Sequence, residues 1–177
     1  MSAKDQSVCN TDLLQASKFI LSFPRVSSTQ FFCQAVNIPG VSIASTPNQF
    51  TPFSDLPIPG DKIVYETFDV TFLIDEELNS WLQIHDWIKG LTFPKDFREY
   101  QNRDKLSRYS SGTPYPQYAD AELTTLSASN NQKVKFHFVD TFPISVSGID
   151  MDIRLDSSTI ITATATFKYK RYDVMKI

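Results

Sequence analysis

ETFDVTFLIDEELNSWLQIHDWIKGL, residues 66–91, carries in one stretch the two periodicities that decide this fold. Phe68, Val70, Phe72 and Ile74 alternate with Thr67, Asp69, Thr71 and Leu73. Period two with one apolar face predicts a half-buried strand over residues 66–74. Asp75 then stands where a helix needs a cap, and Glu76 and Glu77 suit the positive end of the helix dipole. Leu78, Trp81, Ile84 or His85, and Ile88 recur at spacings of three and four. They predict a helix over residues 76–89 with that stripe packed on the sheet. Gly90 is placed to end it.

Upstream, residues 1–16 are polar and weakly patterned, a tail or an arm. Residues 19–23 read as a strand stopped by Pro24. Residues 30–38 are apolar, either strand or short helix, and end at Pro39-Gly40. Residues 41–60 hold Pro47, Pro52, Pro57 and Pro59 with Phe50, Phe53, Leu56 and Ile58 among them. Proline denies ladder hydrogen bonds, which excludes a central strand. The segment is also too apolar for a solvated loop. It predicts an extended arm that packs either on its own domain or on a partner, with Phe50, Phe53, Leu56 and Ile58 as the contact.

Downstream, residues 93–116 are polar, charged and tyrosine-rich, a surface excursion. Residues 123–126 and 134–138 suit a hairpin around Ser129-Asn130-Asn131, which tolerate positive φ. The run 161–170 places Ile161, Ala163, Ala165, Phe167 and Tyr169 on one face and threonines and lysines on the other. It reads as the last and longest strand. Residues 17–177 thus read as a single mainly β domain with one inserted helix.

The 177 residues are 41% hydrophobic and 13% aromatic, which suffices for a core and argues against disorder. Net charge is −3 and no Lys/Arg stripe occurs, the wrong balance for gripping phosphates. No stretch reaches membrane-spanning length, and residues 1–10 lack a signal-peptide core. Cys9 and Cys33 have neither metal nor scaffold spacing, so the chain reads as one made in a reducing cytoplasm. His85 and His137 lie outside any ligand-spaced cluster. No nucleotide, nucleophile-elbow or zinc motif occurs. Asp150, Asp152 and Asp156 lack the glycine and terminal glutamate of a calcium loop. No catalytic, cofactor-binding or metal residue is expected, and the protein reads as no enzyme.

Three segments carry a resemblance. PGDKIVYETFDVTFLIDEELNSWLQIHDWIKGL (59–91) resembles the strand-then-helix unit of tail tube proteins of T4-like contractile phages, with the Asp86-Trp87 pair in the helix. FPISVSGIDMD (142–152) resembles a turn of that family, and its PISVS is similar to the baseplate tube-initiator relatives. TIITATATFKYKRYDV (159–174) resembles the family's final strand. The ordered set spans most of residues 19–174. The resemblance implies a β-sandwich or barrel subunit in hexameric rings, with sheets of neighbouring subunits joined around a lumen. It implies a helix toward the outside and a hairpin arm at residues 41–60 reaching the adjacent ring. The implied partners are copies of the chain itself, sheath and baseplate proteins, and DNA sliding through without specific binding. The implied location is the virion tail. The alternatives are a baseplate-proximal initiator or adaptor ring of the same fold, or a small β-sandwich ligand-binding module.

Overall fold

In the computed structural model, residues 13–26, 32–51, 54–92, 118–154 and 160–177 are described. The excursion at residues 93–116, most of the N-terminal tail, Phe53 and Asp156 lie outside them. The elements in order are β1 (Phe19–Ser22), β2 (Cys33–Val36), β3 (Val41–Thr51), β4 (Ser54–Tyr65), β5 (Phe68–Leu73), α1 (Asn79–Thr92), β6 (Ala119–Leu126), β7 (Gln132–Val146), β8 (Thr162–Lys168) and β9 (Arg171–Lys176). The protein is mainly β with one helix among the described residues, in antiparallel sheets.

A seven-stranded sheet runs β1-β6-β7-β8-β5-β2, with β9 also paired to β7. Its hinge is β7. Residues 134–139 of β7 pair with β9, while Phe142 to Val146 pair with β8. At the corner Asp140 takes φ 55°, a left-handed conformation that Asp tolerates better than most residues. Its amide donates to Asp120 Oδ1 at 3.1 Å, and Lys170 N donates to Val139 O at 3.0 Å. A register shift between Ala119 and Ala121 adds the bulge that bends the strand. The sheet therefore folds over on itself and encloses a core.

That core is aromatic. Phe23, Phe68, Phe72, Phe138 and Phe167 are fully buried with Val70, Ile84 and Leu123. Large and small residues face each other across the β5–β8 ladder, Val70 opposite Ala165 and Phe72 opposite Ala163. Each buried phenylalanine contributes about 1.5–3 kcal/mol of apolar transfer.

The strand–helix unit forms where its periodicities place it, with β5 burying Phe68, Val70 and Phe72. The helix face differs from the expected stripe. Leu78 takes φ 57° and stands before the helix, so the helical phase starts at Asn79, not Glu76. Ser80, Ile84 and Trp87 are buried, while Trp81, Ile88 and Leu91 pack partly against the core. A small polar residue, Ser80, occupies the inward face, and a hydrophobicity pattern passes over it. Gly90 does not end the helix, which runs on to Thr92, whose Oγ1 donates to Ile88 O at 3.2 Å.

Asp75 does cap α1, from a turn closed by Leu78 N donating to Asp75 O at 2.9 Å. Its carboxylate accepts the Asn79 and Ser80 amides, each at 3.2 Å. Desolvation pushes the carboxyl upward, and the hydrogen bonds outweigh it, leaving the pKa below the ordinary value. Asp75→Ala should cost about 0.5–2 kcal/mol in a denaturant titration. The lowered pKa means the carboxylate's share of stability is present above the unfolded Asp value. That share is lost as pH falls through the folded value. Asp75→Asn should flatten this part of the acid limb of a stability–pH curve.

Two strand expectations are corrected. The run read as the last and longest strand is two strands, because the chain turns at Tyr169-Lys170 to follow the corner of β7. Among the described residues the longest strand is β7, with 15 residues. It takes in Phe142 to Val146 of the segment read as a turn, and Pro143 is accommodated at a register shift beside Ser145. The Asn130 turn stands as expected, with φ 62° and its amide donating to Ser127 O at 2.9 Å.

Candidate assembly surface

The segment at residues 41–60 is the larger part of a β-hairpin, β3–β4, that forms its own two-stranded sheet. Neither strand joins the seven-stranded sheet. An isolated hairpin is marginal in water, so the root that holds it matters.

The root is built from both sides. Asn37 fastens the β2–β3 connection to β5. Its amide donates to Asp69 O at 3.2 Å, its Oδ1 accepts Asp69 N at 2.7 Å, and its Nδ2 donates to Thr67 O at 3.1 Å. Pro39 is buried, and its carbonyl accepts the Tyr172 hydroxyl at 3.3 Å. Glu66 closes the base twice, its amide donating to Gly40 O at 3.1 Å and its Oε2 accepting Gly40 N at 3.2 Å. Tyr65 rests on Tyr169 and Tyr172, with centroids 5.8 and 5.6 Å away. Burial, with Tyr172 and Tyr65 beside it, pushes the Tyr169 phenol up to about 12, so that phenol stays neutral across the physiological range.

Beyond the root the register runs Val41↔Tyr65, Ser42↔Val64 and Ile43↔Ile63, then shifts to Ser45↔Pro59, Thr46↔Ile58, Pro47↔Pro57 and Asn48↔Leu56. At the shift Gly60 lies against β3 so closely that a Cβ there would stand 2.5 Å from Ala44 O. Only glycine fits this approach. Of the four contact residues expected from sequence, Phe50 falls in β3 and Leu56 and Ile58 in β4. Ile58 is 43% exposed. Sequence reasoning missed Val41, Ile43, Ile63 and Val64, all more than half exposed. Their signal was present as apolar residues at both ends of the proline-rich stretch, masked by the attention the prolines draw.

Elsewhere several polar groups are engaged in structural contacts. The Arg154 side chain and amide both donate to Asp152, which keeps that carboxyl low. Glu122 is held low first by the Lys135 hydrogen bond at 2.9 Å. His85 stacks on Trp81 at 4.9 Å, and His137 Nδ1 lies 3.5 Å from Glu122. Burial pushes the Cys33 thiol up to about 11, away from thiolate reactivity. No group of three His, Cys, Asp or Glu among the described residues could hold a metal ion.

A family model described as phage tail tube protein matches residues 13–175. The tail tube terminator protein of Enterobacteria phage T4 is 27% identical over 169 residues, covering 90% of this chain and 88% of that protein. Among solved structures, a chain of the anti-feeding prophage cap, described as a tube terminating cap, is similar with a TM-score of 0.66 and 10% identity, over 100% of both chains. A chain from the sheath-tube complex of an extracellular contractile injection system, PVC, in its extended state, gives a TM-score of 0.61 at 12% identity, over 100% and 99%. At such identities the structural likeness speaks for the fold.

Proposed function

This chain belongs to the phage tail tube protein family, and from that premise we propose that it forms a hexameric ring at the terminating end of a contractile tail's tube, gripping the adjoining ring with its β3–β4 hairpin. The family makes it a structural tail component. The finer reading rests on the hairpin: a detached, firmly rooted element with apolar side chains left in solvent. A monomer gains nothing from such a surface, whereas an assembly buries it. The terminating position is supported by the name of the phage T4 relative and by a likeness to a terminating cap that spans both chains whole. The likeness to a sheath-tube chain supports the second reading, a subunit repeated along the tube. A baseplate initiator ring is supported less, by a likeness to a chain of the anti-feeding prophage baseplate at a lower TM-score of 0.53, and a ligand-binding module would leave the hairpin without a role. The partners on this reading are copies of the chain, tube and sheath proteins, and DNA passing through.

Electron microscopy of the purified chain, alone and mixed with tail tubes, tests this directly. Six-fold rings that seat only on tube ends are the expected result. Tubes growing from this chain alone favour the repeated subunit, and a chain that stays monomeric and binds no tube overturns the ring.

A conduit must not hold its cargo. With net charge −3 and no basic stripe, duplex binding should be weak at physiological salt. Anisotropy titration should show no saturable binding, and tight binding with a steep salt dependence would exclude a passive lumen.

A further inference from the structure

The hydrogen-bond phase of the hairpin makes its two outer edges unequal. In an antiparallel pair, opposed residues alternate between those bonded to each other and those whose N–H and C=O point outward. Glu66 N donates to Gly40 O, so Gly40 and Glu66 are a bonded pair. The register then turns Val41 and Ile43 outward on β3, with Tyr65 and Ile63 outward on β4. The same alternation along β3 turns Ser45 and Pro47 outward. Their partners Pro59 and Pro57 are therefore outward on β4. The prolines agree with this phase independently, since the inward set would oppose Pro47 to Pro57, a pair with no N–H to exchange.

The consequence is a one-sided edge. The distal edge of β4 offers no N–H at Pro57 or Pro59, and Asp55, Asp61 and Lys62 put all the hairpin's charge on that strand. These are devices that prevent strand pairing. β3, VSIASTPNQFT, carries no charge over its 11 residues and presents outward donors at Val41, Ile43 and Ser45 before Pro47 ends the run. On β4 the distal edge is protected, while on β3 the outward run from Val41 to Ser45 carries no such device.

We propose that the outer edge of β3 from Val41 to Ser45 is a strand-addition site that takes an extended, uncharged segment of the adjoining tube subunit. This rests on the reading of the hairpin as an inter-ring contact, and adds that the contact is made by backbone as well as by side chains. The occupant's chemistry follows from the edge. Val41 and Ile43, each 57% exposed, share one face, so the incoming segment places apolar residues there. A charge opposite them would be desolvated without a partner.

The test compares Ser45→Pro with Ser45→Ala in the full chain. Proline at 45 removes one outward donor and no hairpin bond, and β4 already accepts prolines in the same phase. Ser45→Ala should assemble as the parent does. Ser45→Pro should keep its circular dichroism and bind the adjoining ring roughly tenfold more weakly, as loss of one backbone hydrogen bond implies. Because that variant could misfold, amide exchange on the unaltered chain supplies a second reading. The Ile43 and Ser45 amides should slow at least roughly tenfold on assembly, while the Ser42 and Thr46 amides, paired with Val64 and Ile58 of β4, are protected beforehand. Normal assembly of Ser45→Pro, or unchanged exchange at 43 and 45 in assembled rings, overturns the edge site and leaves the ring reading standing. A parent chain that neither assembles nor binds tubes overturns both.

Discussion

Trp87→Ala should destabilise the subunit by about 3–5 kcal/mol, the cost of a large cavity in a well-packed core. The indole is 5% exposed. It meets Phe23 edge-on at 5.8 Å and Phe167 at 6.2 Å. The Arg25 guanidinium lies 4.4 Å from its ring centroid and closes the outer side. Truncation thus empties the junction between the helix and the folded sheet, and rigid strands on both sides limit collapse into the space. Trp81→Ala is the contrasting case. Trp81 is only partly buried and donates Nε1–H to Ser147 O at 3.0 Å. Its loss should cost about 1–2 kcal/mol, from one hydrogen bond and partial burial. Denaturant titration of both variants decides the matter. A Trp81 cost equal to that of Trp87 would place the wrong face of α1 against the core.

Replacing Phe50 and Phe53 together by serine should abolish or severely weaken ring-to-ring assembly and leave the subunit folded. Among the described residues, the strand that bears Phe50 pairs with β4, and the core cluster takes from this hairpin Tyr65 at its root. Stability should therefore change little. Each lost aromatic removes apolar burial worth about 1.5–3 kcal/mol at every copy of the contact, and a ring repeats the contact around its circumference. Circular dichroism reports folding, and sedimentation velocity reports assembly. Normal assembly of the double variant would remove these residues from the contact. Unfolding would show that the hairpin tip packs on its own subunit.

The strand–helix unit was legible because two strict periodicities meet at Asp75, and the β6–β7 turn because Asn130 suits the conformation it takes. The helix face was not legible. Its phase depends on Leu78 lying outside the helix, and nothing in a stripe of Leu, Trp and Ile announces a positive φ. Nor was the double pairing of β7 visible, since a strand that changes partners midway reads in sequence as two strands or as a strand and a turn. For the assembly surface, the prolines announced an element apart from the sheet. They concealed that it is a regular ladder, because proline's missing donor matters only in one of two alternating positions. Which position each proline takes is settled by register, which is set at the Asn37–Glu66 root and shifted once more beside Gly60.

That alternation also fixes how the arm can vary in length. Deleting one residue between Gly40 and Pro47 would exchange the inward and outward sets and turn Pro47 against β4, where its missing donor breaks the ladder. Deleting two would preserve the phase, and with two residues also removed from the facing part of β4 it would only shorten the reach, by about 6–7 Å. Tolerated length changes in β3 should accordingly come in pairs. A library of arm lengths would show parity, with even steps giving folded hairpins of graded reach and odd steps giving none.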